Sequence, residues 1–181
     1  ILHGYGEHGG RYAHFPHYLR ESVGSLWIQD FRGHGRSVGL RGFVERFDDY
    51  VEDAAVYLRQ VYERHQSHFG DRARMHLFGH SMGGLVALRT LLLHPELPIH
   101  SAIISAPLLG VRVPVPAIKK LIAYALASVW GSLQMESDVN AGDLSHDPAV
   151  SEAYRADRLV HSKATPRFFT QLQAAMADTL G

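Results

Sequence analysis

Apolar positions recur along this chain at two spacings, and the spacings alternate. Residues 25–29 (SLWIQ), 75–78 (MHLF) and 99–105 (IHSAIIS) are short apolar runs, each ending at a turn-forming residue, and read as buried strands. Between them, Phe47, Val51, Ala54, Leu58 and Val61 fall three or four apart, the stripe of a helix facing a core. Asp49 and Glu52 suit the start of that helix, where carboxylates can accept from unpaired N–H groups. A second helix is expected over residues 83–93, with Pro95 just past its end. Strand and helix in alternation predict an α/β fold, a mostly parallel sheet with covering helices.

After Pro107 the rhythm changes. Residues 113–116 (VPVP) read as a stiff extended linker. Ile118, Leu121, Ile122, Ala125 and Val129 then form a helical stripe, too short to span a bilayer. From Asp138 onward the chain reads as polar and helical, without clear strands. We therefore expect two parts: residues 1–107, a partial sheet core, and residues 108–181, a helical insertion beside it.

Composition narrows the classes of function. Eighteen basic residues balance eighteen acidic ones, so no basic excess points to nucleic acid. There is no Cys, hence no disulfide framework, thiolate nucleophile or Cys-based zinc site. Thirteen His residues raise the question of metal, and His14/His17 and His65/His68 have helical spacing, but neither pair has an obvious third ligand. No metal and no cofactor are expected. The chain opens as though at the end of a strand, without an initiating Met, and reads as a piece of a longer protein.

The chemistry centres on Gly79-His80-Ser81-Met82-Gly83, which fits G-x-S-x-G between an apolar strand and an apolar helix. The glycines permit a sharp strand-to-helix turn, leaving Ser81 at its tip by the positive end of the helix dipole. A packing turn alone would use the same glycines. A nucleophilic Ser needs donors for the oxyanion. The Met82 N–H is one candidate and the Tyr5 N–H, in the glycine-bearing loop His3-Gly4-Tyr5-Gly6, is the other. The run Asp30-Phe31-Arg32-Gly33-His34-Gly35-Arg36-Ser37 lacks the ending of a phosphate loop and reads as a loop that braces the site.

These motifs occur in a telling order: His3-Gly4-Tyr5-Gly6-Glu7-His8, Gly10-Arg11-Tyr12, Asp30-x-Arg32-Gly33-His34-Gly35-x-Ser37, Gly79-His80-Ser81-Met82-Gly83-Gly84 and Ser105-Ala106-Pro107. Together they resemble the monoacylglycerol lipase and lysophospholipase group of α/β-hydrolases, also grouped with serine aminopeptidase-like hydrolases. The resemblance anchors residues 1–107; it is looser beyond, through Leu144-Ser145-x-Asp147-Pro148 and Tyr154-Arg155-x-Asp157-x-Leu159-Val160-His161. Gly9 departs from it, where the group usually has Ser.

The resemblance implies a partial α/β-hydrolase fold with a helical cap, or lid, over residues 108–181. Ser81 would be the nucleophile, with the Tyr5 and Met82 N–H groups as the oxyanion hole. Glu7 and Arg11 match residues at the polar, glycerol end of a lipase pocket; a mutual ion pair that holds the loop is the other reading. The cap helix would either touch a membrane transiently or pack on the core, and packing is favoured because a strongly charged opposite face is missing. The implied reaction is hydrolysis of a lipid ester, a monoacylglycerol or lysophospholipid, in the cytoplasm or at a membrane surface. A peptidase on the same scaffold and a non-catalytic binding member are the alternatives. In this group the triad runs Ser, Asp, His, with both partners beyond the cap, so residues 1–181 alone are expected to be inactive. Asp157 and His161 are better explained by the cap than as triad members.

Overall fold

The computed structural model of the chain describes residues 1–110, 116–137 and 145–181. Most of the 113–116 linker, and residues 138–144 at the start of the polar stretch, lie outside them.

The sheet is parallel. Strand β1 (Met75–His80) runs beside β2 (Ile99–Ser105), with one register shift between Met75 and His76 and Gly79 opposite Ile104. On the other side of β1, Leu2 bridges to Gly79 and, across its own far edge, to Gln29. The lateral order is therefore residue 29, residue 2, β1, β2. The run 25–29 joins the sheet only at Gln29, where a full strand was expected. Beside that run, the Ile1 amino group bonds the Trp27 carbonyl at 2.7 Å.

Of the first three helices, the second and third cover one core and the first lies at the surface. Helix α1 (Phe15–Leu19) is a short turn that periodicity did not reveal. Helix α2 (Asp48–Phe69) buries Tyr50, Val51, Ala54, Ala55, Leu58 and Val61, the expected stripe; Asp48 and Asp49 sit in its first turn, where negative charge is favoured. Helix α3 (Met82–Leu93) leaves β1 directly and is buried nearly all round.

The later part of the chain adds α4 (Ala117–Trp130), β3 (Met135–Glu136), α5 (Pro148–Ala156), β4 (Lys163–Ala164) and α6 (Pro166–Leu180). Strands β3 and β4 pair as a two-residue antiparallel ladder, which the polar pattern did not signal. Helix α6 starts on Thr165, whose Oγ1 accepts from the Phe168 N–H, with Pro166 in its first turn. Its Phe168, Leu172, Ala175 and Met176 enter the same core as α2 and α3. The Arg89 guanidinium of α3 ties this contact, bonding both Asp48 carboxylate oxygens (2.7 and 2.9 Å), the Ala175 carbonyl and Thr179 Oγ1. By contrast, α4 rests on α6 and buries only Ala127; Ile118, Leu121, Ile122, Val129 and Trp130 are exposed. Its apolar stripe therefore faces solvent more than core. No helix among the described residues is long and apolar enough to cross a membrane.

Candidate active site

Ser81 is where β1 turns into α3. Its backbone is in the left-handed region, with φ 53° and ψ −117°, which costs a non-glycine residue of order 1–3 kcal/mol. Four backbone bonds hold it there: the Ser81 N–H donates to the Ser105 carbonyl (3.0 Å), and its carbonyl accepts from Gly84 (2.9 Å), Leu85 (3.2 Å) and Leu108 (3.0 Å). The flanking glycines make the turn sterically possible. A Cβ on Gly79 would lie 2.5 Å from the Gly83 carbonyl oxygen, and one on Gly83 would lie 2.2 Å from the Leu2 carbonyl oxygen. Helix α3 thus starts in backbone contact with the first strand segment. The Ser81 hydroxyl has no hydrogen-bond partner among the described residues.

The loop after Leu2 folds against this elbow. A Cβ built on Gly4 would be 3.4 Å from Ser81 Cβ, so the backbone of residue 4 passes close by the hydroxyl-bearing side chain. His3, fully buried, steers that passage. Its Nε2 accepts from the Phe31 N–H (3.1 Å), which leaves Nδ1 as the donor to the Gly4 carbonyl (2.7 Å). Burial lowers the His3 pKa, favouring the neutral ring that this pairing requires. In a trans peptide the C=O and the following N–H point in opposite directions. Holding the Gly4 carbonyl therefore aims the Tyr5 N–H. Neither the Tyr5 nor the Met82 N–H has an acceptor among the described residues.

Glu7 and Arg11 are an ion pair at 3.2 Å, on the same loop. The Glu7 carboxylate also accepts from the Gly4 N–H and the Tyr12 hydroxyl, and the Arg11 guanidinium lies 4.8 Å from the centre of the Tyr154 ring. Burial and the Glu7 charge push the Tyr12 pKa up, so it stays a donor.

The braces beyond this loop are also histidines and carboxylates. Asp30 receives the Gly9 and Arg36 N–H groups at 2.7 and 2.8 Å; burial alone would raise its pKa, but these bonds hold it below the usual value. His34 is fully buried, bonds the Arg32 carbonyl at 3.1 Å and is held neutral by burial.

Asp157 and His161 do not meet each other as a catalytic pair. Asp157 bonds His8 Nε2 at 2.7 Å. His161 takes the Lys163 N–H on Nδ1, and its ring faces His34 at 4.8 Å. Its own N–H reaches the Gly6 carbonyl (2.8 Å), and the Tyr5 hydroxyl donates to the Lys163 carbonyl. Both residues thus fasten segment 157–163 to loop 4–8, contacts that spacing alone could not reveal. His80, next to the nucleophile candidate, is tied to Ser105 Oγ at 3.1 Å. Among the described residues no imidazole is hydrogen-bonded to Ser81.

A strand, a strained serine and a helix, with a glycine loop folded against the turn, define an α/β-hydrolase elbow. Residues 1–180 match the family model described as Serine aminopeptidase, S33, and the chain belongs to that family. Its relatives include a phospholipase of Bacillus subtilis, YtpA, 28% identical over 99% of this chain and 68% of that protein. They also include a monoacylglycerol lipase of Mycolicibacterium smegmatis, 29% identical over 92% of this chain and 57% of the enzyme. Among solved structures, the monoacylglycerol lipase of Paleococcus ferrophilus superposes with a TM-score of 0.80 at 27% identity, covering 98% of this chain and 65% of that one. The chain therefore falls in the monoacylglycerol lipase and lysophospholipase group, and it spans between about half and two thirds of these relatives' lengths.

Proposed function

We propose that this chain carries the nucleophile of a serine hydrolase acting on carboxylic esters of lipids, most specifically a monoacylglycerol or a lysophospholipid. One observation carries the proposal: Ser81, strained at φ 53°, presents a hydroxyl without a partner among the described residues, with the Gly4 backbone folded beside it. Strain of this kind persists only where the surroundings enforce it, and it clusters at reactive groups.

In this reading Ser81 Oγ attacks the ester carbonyl carbon while a base takes its proton. The carbonyl oxygen becomes an oxyanion that accepts from the Tyr5 and Met82 N–H groups. The C–O bond to the alcohol then breaks, the proton passes to the departing oxygen, and an acyl-serine remains for water to hydrolyse. Each oxyanion donor supplies about 3 kcal/mol in comparable enzymes. The base is not among the described residues in contact with Ser81, so the chain of residues 1–181 needs a His from elsewhere to turn over. Of residues 108–181, expected as the cap, α6 shares the core of α2 and α3 and anchors the part before it, which serves as the cap; the exposed apolar side chains of α4 support transient contact with a lipid surface. The names of the relatives favour lipid esters, whereas the family description favours peptides as the rival substrate.

Ser81→Ala should abolish labelling by a fluorophosphonate probe, and full labelling of the variant would remove the assignment. In the whole protein, specificity constants on monoacylglycerol, lysophospholipid and amino-terminal peptide amides should favour the lipids. A clear preference for the peptides would replace this reading with the peptidase.

A further inference from the structure

The Glu7 carboxylate is occupied by the loop it belongs to. Oε1 accepts from the Gly4 N–H at 2.6 Å and from the Tyr12 hydroxyl at 2.8 Å, while Oε2 accepts from Arg11 Nε at 3.2 Å. The side chain is only 15% exposed. Gly4 is wedged between this carboxylate and the elbow: a Cβ there would lie 2.9 Å from Glu7 Oε1 and 3.4 Å from Ser81 Cβ. Gly4 is therefore gripped twice, at its carbonyl by His3 and at its N–H by Glu7. Those two groups belong to successive peptide planes. His3 alone fixes one plane and leaves the chain free to pivot about the Gly4 φ and ψ. Glycine has more such freedom than any other residue.

We propose that Glu7 is a positioning residue for the oxyanion loop, acting through the Gly4 N–H to hold the Tyr5 N–H toward Ser81, and not a group that binds the alcohol part of the substrate. The inference rests on the assignment of Ser81 and Tyr5 above. The electrostatics agree with it. A bare carboxylate near a developing oxyanion would oppose the reaction, and here Arg11 offsets the charge while the lone pairs point into the loop. What the site needs from Glu7 is reach and an acceptor oxygen, not a negative charge.

Two variants separate reach from charge. Glu7→Gln keeps the length and an acceptor oxygen and loses the charge. Glu7→Asp keeps the charge and is one methylene short of Gly4. In the whole protein, kcat and KM are measured on a monoacylglycerol and on a nitrophenyl ester of the same acyl chain, which has no glycerol. Displacing a donor by about 1 Å costs up to a hundredfold in rate. We expect Asp to lower kcat ten- to a hundredfold equally on both esters, with KM within about twofold, and Gln to lower it less than about fivefold. Gly4 amide hydrogen exchange should be slow in the parent and in Gln, and fast in Asp. A loss confined to the glycerol ester and seen in KM would overturn the proposal, as would Asp outperforming Gln on both substrates. If Asp does not fold, Gln alone decides: a Gln variant crippled a hundredfold on both esters overturns it. Failure of the underlying assignment shows separately, as fluorophosphonate labelling that survives Ser81→Ala.

Discussion

Gly83→Ala tests how tightly the elbow is built. The backbone at Gly83 is helical, so alanine meets no conformational penalty and gains about 1 kcal/mol of helix propensity. Contact is the opposing term. The new Cβ would stand 2.2 Å from the Leu2 carbonyl oxygen and 2.5 Å from that of His3, where an ordinary contact is at least 3.4 Å, so α3 or the first segment must retreat by about 1.2 Å. Both obstacles are backbone, and neither can rotate away. The Leu2 oxygen accepts from the His80 N–H at 3.1 Å, so the retreat also strains that bond. Overpacking costs about 1–3 kcal/mol and a buried bond left unmade about the same, giving a net destabilisation of roughly 1–5 kcal/mol after the helical gain. For a chain of this size that is a melting-temperature drop of roughly 2–20 °C, about 10 °C at the centre of the range. The same movement carries the Met82 N–H away from its place, so fluorophosphonate labelling should slow by one to two orders of magnitude. Gly84→Ala is the control: its Cβ would meet Pro107 at 3.0–3.1 Å, a contact a small shift can relieve. A Gly83→Ala protein that melts with the parent and labels at the parent's rate would refute this account.

Two further outcomes follow from burial. His3 and His34 have pKa values lowered by burial, and burial, with Arg41 nearby, lowers that of His161 to about 4. The unfolded chain takes up these protons near pH 6.5 while the folded one refuses them, so stability is full above about 6.5 and falls as the pH drops toward 4. Melting temperature should decline between pH 7 and 4.5, and His161→Asn should flatten part of the slope; a parent curve that is level or rises on acidification contradicts this. Arg89→Met should destabilise by about 2–4 kcal/mol in urea melts, because it leaves Asp48 without its partner between α2, α3 and α6; a cost below 1 kcal/mol would mean that the pair adds little.

What could be read in advance divides along physical lines. Local chemistry was legible: the elbow from Gly79 to Gly83 needs particular residues at fixed spacing, and the α2 stripe repeats often enough to average out noise. Pairings set by distant chain segments were not. Nothing near His8 signals Asp157, 149 residues away. Glu7 illustrates a third kind of gap. Its neighbours Arg11 and Tyr12 are in plain view, yet residue identity alone cannot say whether a carboxylate faces a ligand or its own backbone. The α4 stripe misled for a related reason, since periodicity reports that a helix has an apolar side but not which way it turns.

The loose hydroxyl of Ser81 has a consequence for descent. The strain at residue 81 is borne by bonds from its amide and carbonyl, and Oγ contributes none among the described residues. A mutation that removes only the hydroxyl therefore leaves every recorded brace of the turn in place. Chemistry can be lost at this position with almost no structural penalty, so stability offers selection little purchase against the loss. With Ser81 as the nucleophile proposed above, a copy of the gene released from selection on turnover could drift to a silent, well-folded paralogue in a single step, since nothing in the fold itself requires a serine at this corner.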